Sequence, residues 1–339
     1  MTQRKAYCLK AGNMKNLKLK ESSLPEPEAG EVTVELKAIG LNFADIFAMF
    51  GLYSATPKGV FVPGLEYSGI ITKIGTGVTS VKIGDKVMGV TKFGAYTTHL
   101  NIGQEYVIPL PTDWNFEEGA AFLVQVLTAY YGLTYLGRIE EGETVLIHSA
   151  AGGVGILANR IAKKYGAYTI GTVGNASKVD FCKQEGYNEV IVRSDQFAQD
   201  LKAALKDREL NVVMECIGGK IFKTGFAQMA AQGRMVIYGA AQYASPGSRP
   251  NYLKVIYKFL TRPKIDAQDL AEVNKMVSGF NLIYLYEKAP LMHQLLDEIQ
   301  KLDLQKPHVG HTFSFEELPK AIQLFQTGKT IGKVVVTIG

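Results

Sequence analysis

The sequence predicts an α/β protein in which a compact β domain is joined to a doubly wound parallel sheet. In roughly the first third of the chain, apolar and polar residues alternate, as over 32–38, and glycines recur at short intervals, which is typical of short strands and tight turns. From residue 143 onward, strand and helix patterns take turns. The strands of this second part are nearly continuous apolar runs, which indicates a parallel sheet covered on both faces.

The individual elements follow from local signals. Residues 53–63 are expected to form an ordered loop, and Asn115 with Glu118 forms a capping box that begins a long apolar helix. A second capping box at Ser314 and Glu317 begins the last helix. The alternating region predicts strands at 143–148, 168–173, 189–192, 211–216 and 234–238, and helices at 153–165, 178–185, 201–206 and 222–231. A further strand at 282–285, a helix at 291–301 and a final strand at 333–338 complete the prediction.

Charge and cysteine content narrow the class of protein. The 339 residues carry a net charge of +5 without a block of like charges, so nucleic acid is not expected as a main partner. Cys8, Cys182 and Cys216 are too far apart for a CxxC metal pair and do not form a disulfide framework, which favours a reducing, cytoplasmic compartment. Neither a signal peptide nor an apolar run of membrane-spanning length is expected.

A phosphate-binding loop is predicted between the first strand and helix of the parallel sheet. The segment Ser149-Ala150-Ala151-Gly152-Gly153-Val154-Gly155 has an AxGxxG pattern. Gly152 allows the backbone to approach a pyrophosphate, Gly155 allows close packing of helix on strand, and the helix N-terminus offers free N–H groups. The strand before and the helix after the motif are the context that a dinucleotide site requires.

The residues after the second strand of the parallel sheet favour NADPH over NADH. An NAD site normally places an acidic residue about 20 positions after the glycines to bind the ribose 2′-hydroxyl. Asn175 stands at that position, followed by Ser177 and Lys178. A carboxylate would repel a 2′-phosphate, whereas these side chains would attract it.

Two segments carry a family resemblance. Residues 64–69 (GLEYSG), followed by Ile74-Gly75, resemble the GHExxG…VG signature of medium-chain dehydrogenases and reductases. Leu65 replaces the histidine that binds zinc in the alcohol dehydrogenases of this superfamily, and Asn42, in the segment 40–45, replaces the first cysteine ligand. The stretch 122–125 that would carry the third ligand has neither cysteine nor histidine. Because zinc needs several such ligands, no metal site is expected.

The sequence is therefore similar to the zinc-independent quinone oxidoreductase group, which includes zeta-crystallin, and within it to the VAT-1 homologues. Shared segments at 40–45, 51–53, 150–155, 176–178, 279–282 and 331–334 keep their order along the chain. The resemblance implies a GroES-like catalytic domain over 1–123, completed by 290–339, and a Rossmann domain that binds NADPH over 124–289. It also implies a homodimer formed through the Rossmann sheets.

The resemblance assigns the site residues. Those expected to bind the cofactor are Asn42, Thr128, Gly152, Gly153, Val154, Gly155, Asn175, Ser177, Lys178, Arg193, Gly218, Gly239, Ala240, Phe280, Asn281, Leu282 and Lys333. Hydride would pass to a quinone or another α,β-unsaturated carbonyl, and Tyr53 and Asn42 are the candidates for stabilising the oxygen that gains charge. Phe47 stands where related chains carry a tyrosine, which removes one donor.

Two alternatives remain open. The first is an NADPH-binding regulatory protein with little activity that associates weakly with membrane surfaces. Basic residues 254, 258, 262 and 264, interleaved with Tyr252, Tyr257 and Phe259, are a candidate interfacial patch for it. The second is an enoyl reductase that acts on thioesters.

Overall fold

The computed structural model describes all 339 residues and places the strands in three sheets. Two of them are largely antiparallel and share one apolar core in the amino-terminal lobe. A small sheet has the order β2-β1-β4, and a larger one the order β15-β16-β3-β5-β6-β8, with β7 also paired to β3. The strands are β1 (Thr2–Lys10), β2 (Lys18–Leu24), β3 (Glu31–Gly40), β4 (Val60–Phe61), β5 (Glu66–Ile74), β6 (Lys86–Val90), β7 (His99–Gly103), β8 (Val107–Pro109), β15 (Val309–Ser314) and β16 (Lys333–Thr337).

The third sheet is entirely parallel and has the order β11-β10-β9-β12-β13-β14. The strand order reverses at β9, so the crevice beside the carboxyl end of β9 is the topological switch point where ligands bind in open α/β sheets. Its strands are β9 (Thr144–His148), β10 (Tyr168–Val173), β11 (Glu189–Val192), β12 (Leu210–Glu215), β13 (Met229–Ile237) and β14 (Met276–Gly279).

Twelve α-helices cover the sheets. Val145 and Ile147 of β9 belong to one buried cluster, and Leu146 between them belongs to another, so both faces of the parallel sheet are packed. This arrangement confirms the predicted fold class. The helices are α1 (Phe43–Phe50), α2 (Phe116–Gly119), α3 (Leu123–Tyr130), α4 (Gly153–Lys164), α5 (Val179–Gln184), α6 (Phe197–Leu205), α7 (Gly219–Gln228), α8 (Tyr252–Leu260), α9 (Ala267–Val273), α10 (Leu282–Leu285), α11 (Ala289–Gln300) and α12 (Leu318–Gln326).

Three sequence predictions about elements were wrong in detail. The predicted strand 282–285 is the short helix α10, and the sixth parallel strand is β14, just before it. A four-residue apolar run has too few positions for its period to separate strand from helix. The predicted helix 222–231 ends at Gln228, because Met229 already pairs with Leu210 in the sheet. The predicted loop 53–63 contains β4, which pairs with β1.

One helical stretch is long and apolar enough to span a membrane, contrary to the expectation from the sequence that no such run occurs. Residues Phe116–Leu136, where α3 continues as a π-helical segment (Tyr131–Leu136), reach the length and hydropathy of a membrane span. In the most apolar part of this stretch, 78% is buried inside the protein. The stretch is therefore packed as a core helix. Its buried members of the largest apolar cluster are Phe122, Leu123, Val124, Val126, Leu127, Ala129, Tyr130 and Leu133.

Candidate active site

The phosphate loop lies at the switch point of the parallel sheet. After β9, Ser149 adopts a positive φ of 55°, and Gly152 stands at the N-cap of α4 without any side chain capping the helix. A Cβ on Gly155 would lie 2.5 Å from the carbonyl oxygen of Ser149, so only glycine fits there. The uncapped first turn leaves N–H groups available, and the partly exposed loop fits the pyrophosphate of a dinucleotide.

The other lobe contacts this loop directly. The Gly332 N–H donates to the Ala151 carbonyl oxygen over 2.8 Å, just before β16 enters the antiparallel sheet. On the opposite side, a Cβ on Gly153 would lie 2.8 Å from Cγ of Gln125, a residue of the core helix α3. The phosphate loop thus sits between the two lobes rather than on the surface of one.

A buried polar cluster lies next to this contact and joins four distant segments. Asn42 Nδ2 donates to Glu66 Oε1 over 2.9 Å, and Asn42 Oδ1 accepts from Gln125 Nε2 and from Lys333 Nζ over 2.8 Å each. Gln125 Nε2 also donates to Glu66 Oε1 over 3.0 Å, and Lys333 forms an ion pair with the same oxygen. All four side chains are buried. Burial lowers the pKa of Lys333, and the facing Glu66 opposes that shift.

The cluster includes positions where the resemblance places zinc ligands in related dehydrogenases. Asn42 and Gln125 supply amides, Glu66 a carboxylate and Lys333 an ammonium, while Leu65 is buried and apolar. No group of three metal-binding histidine, cysteine, aspartate or glutamate side chains occurs in the structure.

Asp45 is a second buried acid beside the cluster. Its Oδ2 accepts the Asn42 N–H over 2.8 Å and the Tyr96 hydroxyl over 3.0 Å, while Oδ1 has no partner. Burial raises the pKa of Asp45 to about 7, although these donors and Lys333 counteract it. This carboxyl is therefore far easier to protonate than an exposed aspartate.

The end of the site that is predicted to hold the adenosine carries two cations, and neither has an ion-pair partner. Asn175 and Ser177 are exposed beyond β10, and Asn175 Oδ1 accepts the Ser177 N–H. Lys178 is buried, and its Nζ donates to the carbonyl oxygens of Gly328 and Thr330 over 2.7 Å each. The Lys178 ammonium is therefore already hydrogen-bonded to the carboxyl-terminal segment, a contact that the sequence did not predict.

Arg193 is the second cation. Its Nη1 donates to Thr172 Oγ1 over 2.9 Å, and its Nη2 would lie 3.1 Å from a Cβ on Gly174. Burial and the nearby Arg193 lower the pKa of Lys178. Neither cation lies within 4.0 Å of a carboxylate, so neither has a direct ion-pair partner beside the exposed turn 174–177, although Glu215 is near enough to Arg193 to oppose the lowering of its pKa by burial.

The remaining predicted residues line the crevice on the far side of β9. The turn after β12, which contains Gly218, is tied to the turn after β13, which contains Gly239 and Ala240, through the bond from Ala241 N–H to the Cys216 carbonyl. Thr128 is buried within α3, and its hydroxyl donates to the Val124 carbonyl of its own helix. Its hydroxyl is therefore engaged locally.

The segment 280–282 closes the crevice against the first lobe. Tyr53 donates its hydroxyl to Asn281 Oδ1 over 2.5 Å, and burial raises the pKa of Tyr53, so this phenol stays protonated at ordinary pH. Phe280 packs edge-on against Tyr131 with ring centroids 5.0 Å apart. Leu282 faces the apolar cluster around Leu127, Leu285 and Leu295.

Sequence reasoning did not single out Glu66, Gln125 or Asp45 as site residues. Each one lies inside a segment that was compared with the zinc-ligand segments of related dehydrogenases. Their position beside a missing ligand was the one sequence feature that could have identified them as site residues. The structure brings the predicted Asn42 and Lys333 together, and it places Tyr53 with Asn281 in a separate interlobe contact.

Comparison with known proteins assigns the family. Residues 28–112 match the alcohol dehydrogenase GroES-like domain, and residues 153–283 match the zinc-binding dehydrogenase domain. The human synaptic vesicle membrane protein VAT-1 homolog is 30% identical over 95% of this chain and 83% of its own length. The Danio rerio homolog is 31% identical over 92% of this chain, which spans only 65% of that relative.

Solved structures give the same result over the whole chain. The crystal structure of the human VAT-1 homolog-like protein has a TM-score of 0.84 at 27% identity and covers 99% of this chain and 98% of its own. The quinone oxidoreductase of Thermus thermophilus, also solved with NADPH, has a TM-score of 0.78 at 27% identity and covers 98% and 99%. The CurK enoyl reductase has a TM-score of 0.84 at 27% identity and covers 100% of both chains. The chain therefore belongs to the medium-chain dehydrogenase/reductase family, in the group of quinone oxidoreductases and VAT-1 homologues.

Proposed function

We propose that the protein is a zinc-independent, NADPH-dependent oxidoreductase that transfers hydride to quinones or other α,β-unsaturated carbonyls. One observation carries the proposal. The phosphate loop abuts the Asn42–Glu66–Gln125–Lys333 cluster through Gly332 and Gln125, so the proposed nucleotide site lies beside the positions where related dehydrogenases carry zinc ligands. The structures of related quinone oxidoreductases with NADPH support the cofactor class.

The choice of NADPH rests on the charge around the turn 174–177. Arg193 and Lys178 have no carboxylate partner, and Asn175 and Ser177 offer uncharged polar groups at the mouth of the crevice. A 2′-phosphate would neutralise this charge through charge-assisted hydrogen bonds, whereas the 2′-hydroxyl of NADH would not.

Zinc independence rests on the donor set of the cluster. Zinc in proteins takes thiolate, imidazole and carboxylate ligands, usually four or three with one open position. Here Glu66 is the one carboxylate of the cluster, and the Lys333 ammonium contacts its Oε1. In this cluster the Lys333 ammonium, rather than a metal ion, would carry the positive charge.

The proposed roles of the residues follow from their contacts. Bound NADPH would supply the hydride, and the protein would orient it and exclude water. Asn42 has its amide engaged by Glu66 and its oxygen by Gln125 and Lys333, so we assign it to holding the cluster in place. Tyr53, a neutral and partly exposed phenol at the interlobe contact, is the proposed donor to the substrate oxygen.

Stopped-flow mixing tests the proposal. The protein loaded with NADPH is mixed with a panel of quinones and, separately, with enones and an enoyl thioester, while absorbance of the reduced nicotinamide is followed. Oxidation with quinones or enones supports the proposal. Oxidation with the thioester alone makes the protein an enoyl reductase, and no oxidation with any acceptor contradicts the enzymatic proposal.

A second candidate function is association with an anionic membrane surface, and helix α8 favours it. Six large apolar side chains of α8 are at least half exposed, and α8 has no buried residue; these six, the α8 patch, are Tyr252, Leu253, Ile256, Tyr257, Phe259 and Leu260. Residues 249–264 contain five basic residues and no acidic one. An exposed amphipathic helix of this composition is suited to the interface of anionic lipid.

Flotation with vesicles tests this candidate. We expect binding to phosphatidylcholine vesicles that contain phosphatidylserine and little binding to phosphatidylcholine alone. Leu253→Asp should abolish flotation, while Val60→Asp, which changes another exposed apolar residue in the other lobe, should not. Equal binding by both variants would exclude α8 as the membrane contact.

The compartment and the oligomeric state are part of the same proposal. Cys182 and Cys216 are buried free thiols, which favours a reducing, cytoplasmic location. Strand β14 is one of the two edges of the parallel sheet, β11 being the other, and the proposed homodimer would pair the β14 edge with its copy. Light scattering of the purified protein at several concentrations distinguishes the dimer from the monomer.

A further inference from the structure

A buried histidine joins three strand ends beneath the phosphate loop. His148, the last residue of β9, has Nδ1 2.8 Å from Thr172 Oγ1 of β10 and Nε2 3.2 Å from Glu215 Oε2 of β12. The three side chains are at most 1% exposed. Neither His148 Nε2 nor Glu215 Oε2 forms a hydrogen bond, so the 3.2 Å approach between them is a close charge contact without hydrogen-bond alignment. None of the roles assigned so far uses this group.

The contacts continue in both directions. Thr172 Oγ1 accepts from Arg193 Nη1 over 2.9 Å, at the adenosine end of the site. Glu215 Oε1 accepts the N–H groups of Ile217 and Gly218 over 2.5 and 2.6 Å, in the turn after β12. The resulting chain of contacts, here called the relay, is Arg193–Thr172–His148–Glu215–Gly218. It crosses four neighbouring strand ends of the parallel sheet.

Hydrogen bonds and one close charge contact together make up the relay. Arg193 donates to Thr172 Oγ1, which lies 2.8 Å from His148 Nδ1; His148 Nε2 lies 3.2 Å from Glu215 Oε2, and two backbone N–H groups donate to Glu215 Oε1. Burial acts to raise the pKa of Glu215, but His148 and the N–H groups of Gly218 and Ile217 outweigh it and hold the pKa below its ordinary value. A buried polar network of this kind restrains the groups at both of its ends.

Both ends lie where a nucleotide would bind. Gly218 has a φ of 89°, and the carboxylate of Glu215 holds its N–H. Arg193 lies beside Gly174 and has no ion-pair partner of its own, so the Thr172 hydroxyl and carbonyl determine where its guanidinium points.

We propose that His148 is a positioning residue that, through Thr172 and Glu215, aligns Arg193 with the 2′-phosphate of NADPH and couples that alignment to the Gly218 turn. This inference rests on the proposed function, because it needs a bound NADPH. It predicts that a break in the relay changes the preference for NADPH over NADH, and not only the stability of the fold.

A matched pair of threonines on β10 provides the test. Thr172→Val removes the hydroxyl between Arg193 and His148, whereas Thr169→Val removes an equally buried hydroxyl of the same strand outside the relay. Calorimetry should show that Thr172→Val lowers the ratio of the NADH to the NADPH dissociation constant about fivefold or more, because a hydrogen bond to a charged group is lost from the NADPH complex. Thr169→Val should leave the ratio unchanged.

A second variant extends the test to the histidine. His148→Gln should shift the ratio in the same direction, and in the Arg193→Gln background it should produce no further shift. An unchanged ratio of the two dissociation constants in Thr172→Val, which includes equal weakening of both cofactors, would overturn the relay while the proposed function stands. If the unmodified protein binds neither cofactor, both proposals fail.

Discussion

The Tyr53 hydroxyl donates to Asn281 Oδ1 over 2.5 Å and thereby joins a loop of the first lobe to the segment that follows the last parallel strand. Two further contacts strengthen the same closure, since Tyr106 donates to the Tyr286 carbonyl and Lys92 pairs with Glu287. The crevice between the lobes is therefore bounded by a protonated phenol on one side and the phosphate loop on the other.

Tyr53→Phe should reduce the turnover of quinone about 10- to 100-fold, because in the proposed reaction this hydroxyl exchanges its bond to Asn281 for one to the substrate oxygen that gains charge. Affinity for NADPH should change little. The matched control is Tyr284→Phe, whose hydroxyl donates to Ser54 Oγ in the same interlobe contact. Stopped-flow rates measure both, and equal losses in the two variants would show that Tyr53 acts only by closing the lobes.

Lys333→Met should destabilise the fold by about 3–5 kcal/mol, because it leaves the buried Glu66 carboxylate without its cation. The double variant Lys333→Met, Glu66→Gln should recover part of this loss, since no unpaired charge remains. Lys92→Met, which breaks an exposed ion pair with Glu287, should cost less than about 1 kcal/mol. Urea unfolding measures all three, and a loss in Lys333→Met no larger than that in Lys92→Met would contradict the buried pairing.

Asp45 should make stability depend on pH. Its pKa of about 7 in the fold exceeds the ordinary 3.8, so the folded state binds this proton more tightly than the unfolded chain. The free energy of unfolding should therefore fall as pH rises from about 4 to about 7, by at most roughly 4 kcal/mol from this group, and level off above. Asp45→Asn should remove this pH dependence. If urea unfolding gave the variant and the unmodified protein the same dependence of unfolding free energy on pH, the raised pKa of Asp45 would be refuted.

Ser177→Asp should weaken NADPH binding at least about tenfold, because it places a carboxylate at the exposed turn proposed to meet the 2′-phosphate. NADH binding should be unaffected or slightly improved. Ser177→Ala separates loss of the hydroxyl from gain of charge and should have a small effect. Titration of protein fluorescence gives both affinities, and a variant that keeps its preference for NADPH would place the phosphate elsewhere.

The fold was predictable because its signals are local. The apolar runs of β9, β12 and β13 and the AxGxxG turn after β9 are each visible within a few residues. The predictions were wrong at 282–285 and at 229–231. Both are short apolar runs, and their tertiary contacts decide whether they form a helix or a strand. Met229 joins the sheet because Leu210 is beside it, and neither periodicity nor propensity contains that information.

The site was predictable in part for the same reason. Asn42 stood out because a cysteine was missing, but its partners Glu66, Gln125 and Lys333 come from segments 24 to 291 residues away. The commitment of Lys178 to Gly328 and Thr330 is likewise a long-range contact. Sequence patterns identify residue types that suit a site. Only the tertiary structure shows which of these side chains already form hydrogen bonds with other residues of the protein.

Calorimetric titration of the intact protein with NADPH and, in parallel, with NADH tests the central claim most directly. We expect one NADPH per chain, bound at least about tenfold more tightly than NADH. Absence of binding heat with NADPH, or tighter binding of NADH, would contradict the account.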